Sequence, residues 1–596
     1  MTPRRLLLTV SAVALMGLAA PALAQTTAKA PVEAAPASRA AADLKALFDA
    51  DQEWSLKGSG RVSDSEDGQG DSARLPLVDP ASQQDRTAHA QAMLAGLARI
   101  PRDQLSDEDQ INADVFRTIF EAALTDSRYR EWEMPFNSDS SFWTYLDERQ
   151  PLRTAADYRS YIGRMRDVPR YFGDQMTNMR AGLARGFSVP RVTVEGRDQS
   201  IAAFIVADPE DSAFYAAFRQ MPSTIPAAEQ AQLREAARVA IREAVTPGYE
   251  ALLSFYTDEY LPQTRTTISA HDLPDGDAYY AAQIRKYTTL DITAAEVHQI
   301  GLSEVARIEA EMRQTMRDAG FDGTLEAFIQ FLRTDPQFYA KTPDELLMVS
   351  AWVAVRVDGR LGEVLGQLPR RRFTIVPVPE ALAPFYTAGR GGLTSCQMNT
   401  YNLPSRPLYN IPALTLHECS PGHSLQAALA EERDDGPDFR RNTYFSGFGE
   451  GWGLYTEWLG VEMGIYRTPY ENFGRLSYEM WRAARLVIDT GLHQEGWSRQ
   501  QAIDYLASHT ALSQHEVETE VDRYISWPGQ ALSYKLGELT IRRLRREAEA
   551  ALGPRFDQRR FHDAILALGS VPLPTLEARI ARFIRDEQTA DAPPTA

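Results

Sequence analysis

Cysteine is nearly absent: Cys396 and Cys419 are the only two in 596 residues, so the chain is not a disulfide-stapled scaffold. Positive charge is also in deficit, with 63 lysines and arginines against 81 acidic residues, a formal charge of −18 and a pI near 5.1. An acidic surface repels phosphate backbones and anionic headgroups, so nucleic acid and membrane surfaces are not expected partners, although a local basic pocket is still allowed. No G-x-S-x-G elbow occurs, which speaks against a serine hydrolase. The sequence has no 20–50-residue repeat, which argues against a solenoid, and no internal low-complexity block. What remains is ordinary for a globular protein: 44% hydrophobic and 24% charged residues, with ample length for a sizeable core.

The first residues form a distinct segment. Arg4 and Arg5 precede an apolar run from Leu6 to Ala20, and Ala22-Leu23-Ala24 follows Pro21. A basic start, a short apolar stretch and an A-x-A site predict a cleavable signal peptide over residues 1–24. The run is short for a membrane span. No cysteine follows the site to carry a lipid, so no stable membrane anchor is expected. Cleavage leaves 61 basic against 81 acidic residues, and the expected location is the periplasm. Residues 25–42, rich in alanine, proline and small polar residues, read as a flexible linker. Residues 43–588 read as one large unit and 589–596 as a frayed tail.

That unit reads as mainly helical. Ile225-Pro226 opens a stretch with apolar residues three to four apart, which Pro247-Gly248 is expected to end. Thr293 precedes a second helix with Val297, Ile300, Leu302, Val305, Ile308 and Met312 on one face and Gly320 as its stop. Strand signals are confined to Arg191–Glu195, Arg372–Val378 and the segment before residue 414. A large helical fold with a small β-sheet near the candidate site follows.

Residues 414–426 read LTLHECSPGHSLQ. His417, Glu418 and His423 are the residue types of a metallopeptidase helix, in which two histidines hold zinc and a glutamate activates water. The spacing is not HExxH, because four residues rather than two separate Glu418 from His423. On a straight helix, positions i and i+6 lie about 120° apart, too far for one ion. Pro421-Gly422 supplies a reason for distortion, since proline clashes with the carbonyl four residues back and glycine tolerates unusual dihedrals. The metal hypothesis requires a bulge or wide turn there. Taken alone the pattern is weak, because His515-Glu516 is another His-Glu pair.

A second segment, FGEGWGLYTEWL over residues 448–459, strengthens it. Glu450 lies 27 residues after His423, where thermolysin-like peptidases take their third ligand, and catalytic zinc needs three protein ligands with one open position. Glu457, seven residues on, shares the helix face of Glu450 and is placed to orient a ligand histidine through its free ring N–H. A plain amphipathic helix would instead bury Trp452, Leu454, Tyr455 and Trp458 and leave both glutamates solvated.

Together, His417, Glu418, Pro421, Gly422, His423 and Gln426, with Glu450, Gly451, Trp452, Tyr455, Glu457 and Leu459, resemble a large bacterial family. It was long catalogued as a domain of unknown function and placed with the zincin-like metallopeptidases. Further likeness lies in Asp489–His493 with Gly496-Trp497-Ser498, in Arg523-Tyr524, and in Pro528–Ala531 with Tyr534. Residues 553–561 and Pro572-Leu573 also fit, so the likeness covers about residues 43 to 585. The resemblance implies a gluzincin-like fold and metal-dependent peptide hydrolysis. In that reading His417, His423 and Glu450 hold zinc, Glu418 is the base, and Glu457 supports a ligand. Manganese and cobalt suit the same ligand set. Tyr534, His493 and Arg523 are the candidate donors to a tetrahedral oxyanion, and Arg523 is alternatively a holder of a substrate carboxylate.

The substrate expected is a peptide. Hydrolysis of another amide or ester, or a non-catalytic periplasmic binding protein on a degenerate peptidase fold, are the alternatives. Gly389-Arg390-Gly391-Gly392 reads as a turn rather than a phosphate cradle, and Thr394–Tyr401 as an extended edge beside the metal helix. Export to an oxidising compartment predicts a disulfide between Cys396 and Cys419.

Overall fold

The structure, a computed structural model, describes residues 38–58, 73–144, 146–147, 152–380, 383–433 and 436–589. The expected signal peptide lies outside the described residues, as do most of the expected linker and all but Thr589 of the expected tail. Helix α1, Arg39–Gly58, begins inside the stretch read as linker, where Ser38 Oγ accepts from Ala41 N–H. The protein is mainly helical. No helix among the described residues is long and apolar enough to cross a membrane.

Caps set the long helices. α2, Asp107–Tyr129, starts with Ser106 accepting from Asp109 N–H and three acidic residues in its first turn. α3, Ala155–Ala184, opens on a capping box of Thr154 and Asp157. α4, Ala227–Ala240, does not lead to a stop at Pro247-Gly248. Its axis runs through a π turn, Ile241–Val245, into a further helix, Thr246–Ser254. Thr246 N–H reaches back five residues to Ile241 O, and the wider turn accommodates the proline that follows. α5, Ala294–Asp318, has the predicted start, a Thr293–Glu296 capping box, and stops at Gly320, whose φ is +71°. Val297, Val305, Ile308 and Met312 are buried, but Leu302 is exposed.

The sheet is small. β1, Thr374–Pro377, pairs parallel with β3, Ser395–Met398, and β2, Gly389–Gly391, pairs antiparallel with the other side of β3. Thr394–Tyr401 therefore supplies the central strand rather than an edge. The glycine cluster read as a turn forms the edge strand β2. Arg191–Glu195 is not a strand: residues 191–193 form a 3₁₀ turn after Pro190, with Thr193 and Val194 both buried and Val192 exposed, which breaks the alternation.

Among the helices that follow, six position the site: α6, Ile411–Glu418; α7, His423–Glu431; α8, Ser446–Glu462; α9, Pro469–His493; α10, Gln514–Ser526; and α11, Ser533–Leu552. α9 is buried along its whole course from Phe473 to His493, with α5 against one side. α8 crosses α11 where Gly451 meets Gly537. The predicted disulfide is formed: Cys396 of β3 is bonded to Cys419 at the end of α6.

Candidate metal centre

The distortion required at Pro421-Gly422 is present and larger than a bulge. α6 ends at Glu418 and a new helix, α7, begins at His423, so the motif spans two helices. Gly422 N–H returns to Leu416 O at 3.0 Å. A Cβ on Gly422 would sit 1.8 Å from His417 O, so only glycine allows the chain to fold back this tightly. The His417 and His423 rings are consequently brought together edge to face, with centroids 4.9 Å apart and planes at 85°.

α8 completes the cluster. Glu450 Oε2 lies 3.4 Å from His417 Nε2 and 3.3 Å from His423 Nε2. Ligands bonded at about 2.0–2.1 Å in tetrahedral geometry stand about 3.3 Å apart, so these separations fit a single ion such as zinc. Among the described residues, these three form a group able to hold a metal, with ligand atoms within 4.8 Å of one another. Glu457 Oε1 accepts from His417 Nδ1 at 2.8 Å, which turns Nε2 toward the cluster. Neither glutamate is solvated. Gly453, one turn along from Glu450, lies flat on the His417 ring: a Cβ there would come 2.7 Å from Cε1 and 2.8 Å from Nε2. Trp452 Nε1 donates to Pro421 O at 2.8 Å and ties α8 to the turn.

The electrostatics favour positive charge where the three atoms meet. Burial opposes protonation of His417, but Glu450, Glu457 and Glu418 outweigh it and push the ring up to about 9. Burial alone would raise the Glu450 carboxyl, yet His423 and His417 hold it well below the usual carboxylate range.

The cluster opens into a cavity of about 1470 Å³ lined by Glu418, Gln426, Arg523, Tyr534 and edge strand β2. Glu418 Oε2 accepts from Gly391 N–H at 2.6 Å, which fixes its carboxylate at the cavity wall. Tyr534 stacks against His417, centroids 6.3 Å apart, and its hydroxyl lies 3.4 Å from Arg523 Nη2. Two of the three expected oxyanion donors thus share the cavity with the cluster.

The third does not. His493 is fully buried at the end of α9; its Nδ1 accepts from Ala270 N–H and its Nε2 donates to Tyr524 O, both at 2.9 Å. Burial lowers its pKa to about 4, so it is a neutral structural ring and not a donor to substrate. His515, the other His-Glu pair, is exposed, and Glu516 caps α10 and pairs with Arg406.

Several site residues escaped the sequence reading. Tyr444 donates to Glu450 Oε1 at 2.9 Å, and Arg482 and Arg485 of α9 enter the cavity wall. The signals were a tyrosine six residues before Glu450 and two arginines set in the otherwise apolar run MWRAARLVI.

The fold has counterparts. A solved structure of a candidate lipoprotein from Colwellia psychrerythraea superposes with a TM-score of 0.84 at 25% identity, covering 92% of this chain and all of that one. A second candidate lipoprotein of unknown function, from Shewanella oneidensis, gives a TM-score of 0.65 at 17% identity, over 91% of this chain and 98% of that one, and shares the fold. No curated protein matches the chain. A family profile described as a bacterial protein of unknown function (DUF885) matches residues 62–580, and the chain belongs to that family.

Proposed function

We propose that the protein is an exported metal-dependent peptidase with a gluzincin-like site, in which His417, His423 and Glu450 hold zinc or a related divalent ion. The observation that carries this reading is the convergence of three ligand atoms within 4.8 Å of one another, with Glu450 Oε2 3.4 and 3.3 Å from the two histidine nitrogens, beside Glu418 in the wall of a large cavity. A bound divalent ion would polarise the scissile carbonyl and acidify water. The chain supplies the rest. Glu418, oriented by Gly391 N–H, takes a proton from the attacking water. Tyr534 donates to the oxygen that gains charge. Glu457 holds the His417 ring in the tautomer that leaves Nε2 free. Edge strand β2, rather than β3, offers backbone groups to an extended peptide, a mode that tolerates varied side chains. Export is supported by the signal-like start of the sequence and by the lipoprotein description of the similar structures, although this chain's only cysteines are joined to each other.

Metal analysis with a mixed-peptide digest tests the reading. His417→Ala, His423→Ala and Glu450→Ala are each expected to lose most bound metal. Glu457→Ala is expected to weaken it by about 10–100-fold. Glu418→Gln should retain metal and lose turnover by about 10²–10⁴-fold, and Tyr534→Phe by about 10²-fold. His515→Ala is the control and should leave both unchanged. Full metal content in the three ligand variants, or chelator-resistant cleavage, overturns the proposal.

A further inference from the structure

The cavity wall beyond Tyr534 is built from arginine. Arg482 and Arg485 of α9 and Arg523 of α10 all line the cavity that holds the histidine–glutamate cluster. Arg482 and Arg485 are almost fully buried, 4% and 1% exposed. Buried guanidiniums are costly unless each N–H meets an acceptor. Here the accounts do not balance: Arg482 Nε, Arg485 Nη1 and Arg523 Nε have no hydrogen-bond partner. The nearby carboxylates leave these nitrogens unpaired, although Glu457 Oε2 is itself without a hydrogen-bond partner. Glu457 is bonded to His417 and stands 3.7 Å from Arg482; Glu520 is bonded to Arg485 at 2.8 Å and lies 3.6 Å from Arg523. Asp139, also in the wall, adds a longer-range attraction to Arg523.

Aromatic rings hold these groups in place. The Arg485 guanidinium lies 4.5 Å from the Trp481 ring and 4.4 Å from Tyr534, and Arg482 lies 4.2 Å from Trp481. Arg523 packs over Trp527 and donates to Gln530 Oε1. Stacking fixes the guanidinium planes before any ligand arrives, which suits a planar anion such as a carboxylate. Tyr534 touches both the His417 ring and the Arg485 guanidinium, so the arginines begin within about 11 Å of the His417 ring. Each extended residue spans about 3.3–3.6 Å, so this reach corresponds to at most about three residues past a scissile bond at the cluster.

We infer that Arg523, backed by Arg485 and Arg482, binds the free C-terminal carboxylate of the substrate, and that the protein releases one to about three residues from peptide C-termini. The inference rests on the peptidase reading and names its substrate class. The bulk of the cavity then takes the chain on the acyl side of the bond.

The test pairs one peptide as its C-terminal free acid and as its C-terminal amide. With the metal-loaded protein, kcat/KM is expected to be about 10²-fold higher for the acid, with one to about three residues released by mass spectrometry. Arg523→Gln is expected to reduce the acid-to-amide ratio several-fold or more at unchanged metal content, and Arg523→Lys to restore part of it. Equal cleavage of both peptides, or cleavage at internal bonds only, overturns the inference while leaving the peptidase reading intact. Binding to Glu418→Gln protein supplies an arm independent of turnover: the acid is expected to bind at least tenfold tighter than the amide. If no peptide is cleaved, the peptidase reading fails; equal binding of acid and amide to the Glu418→Gln protein overturns the carboxylate site on its own.

Discussion

The core around α3 and the core around α9 solve burial in opposite ways. The first is aromatic: Trp143, Tyr158, Tyr161, Phe172, Phe214, Phe218, Tyr249 and Tyr256 fill it, and the hydroxyls of these four tyrosines end on backbone carbonyls. The second buries Glu457, Glu479, Arg482, Arg485, Asp489, Glu520, Lys535 and Glu538. Aromatic burial needs only area and one hydrogen bond per hydroxyl. Ion burial gains little stability over apolar packing of the same volume, yet losing one partner is severe. The charged core therefore makes sense as the support of the cavity it surrounds, whereas the aromatic core makes sense as stability alone.

The sharpest break of this contrast is Lys535→Met. Lys535 is fully buried and lies 2.9 Å from Glu479, 3.0 Å from Glu304 and 2.9 Å from Glu538. Its loss removes the shared partner of three carboxylates, which keep only Arg307, Arg475 and Arg542 as partners, and chemical denaturation is expected to show a loss of about 3–5 kcal/mol. A cost under about 1 kcal/mol would place this network with ordinary surface pairs.

Acid should find the same core next. Burial holds His493 and His562 down to about 4, while an unfolded histidine titrates near 6.5. Between those values the unfolded state binds protons that the folded state refuses, so the contribution of each histidine falls as pH drops from about 6.5 to 4. Asp489 and Asp126 work against this: burial raises both to about 7, so their contribution is greatest at low pH and is lost as pH rises through 7. Each histidine accounts for a loss of about 1.4 kcal/mol per pH unit in this window, and the two aspartates offset the two histidines, so His493→Gln is expected to change the pH slope of stability by about that amount. A His493→Gln protein whose denaturation midpoint has the same pH slope as the parent from pH 6.5 to 4.5 would contradict it.

Reducing the Cys396–Cys419 bond is expected to cost about 3 kcal/mol, the loop-entropy value for a 23-residue separation. The comparison of denaturation midpoints with and without reductant reads it directly. Because the bond joins β3 to the end of α6, metal affinity should weaken alongside stability.

How much of this was legible followed the range of each contact. The Thr293 cap, the β1 segment and the clustering of His417, His423 and Glu450 could be read because residue type and local spacing carry them. The turn at Gly422 was required by the spacing, but its form was not, because the clash that demands glycine is with His417 O and belongs to the folded chain. His493 misled because both of its partners, Ala270 and Tyr524, are distant in sequence, and nothing beside it shows that both nitrogens are occupied. The run RVTVE alternates like a strand, but Pro190 and the 3₁₀ turn decide otherwise. Pro247 reads as a stop only when a π turn is not considered.

The smallest expected effect belongs to the aromatic core. Tyr249 is fully buried, and its hydroxyl donates to Trp143 O at 2.6 Å. Tyr249→Phe keeps the ring and its contacts with Phe172, Phe204 and Phe214, and leaves one carbonyl without its donor. A neutral hydrogen bond lost in this way costs about 1–2 kcal/mol, well below the charged-core variants. Metal content and peptide turnover should not change, since neither Tyr249 nor Trp143 lines the cavity. A loss comparable to Lys535→Met would show that the aromatic core depends on its polar groups as strongly as the charged core does. A change in metal affinity would show that the two cores are coupled, and the division between stability and site would then have to be drawn elsewhere in the molecule.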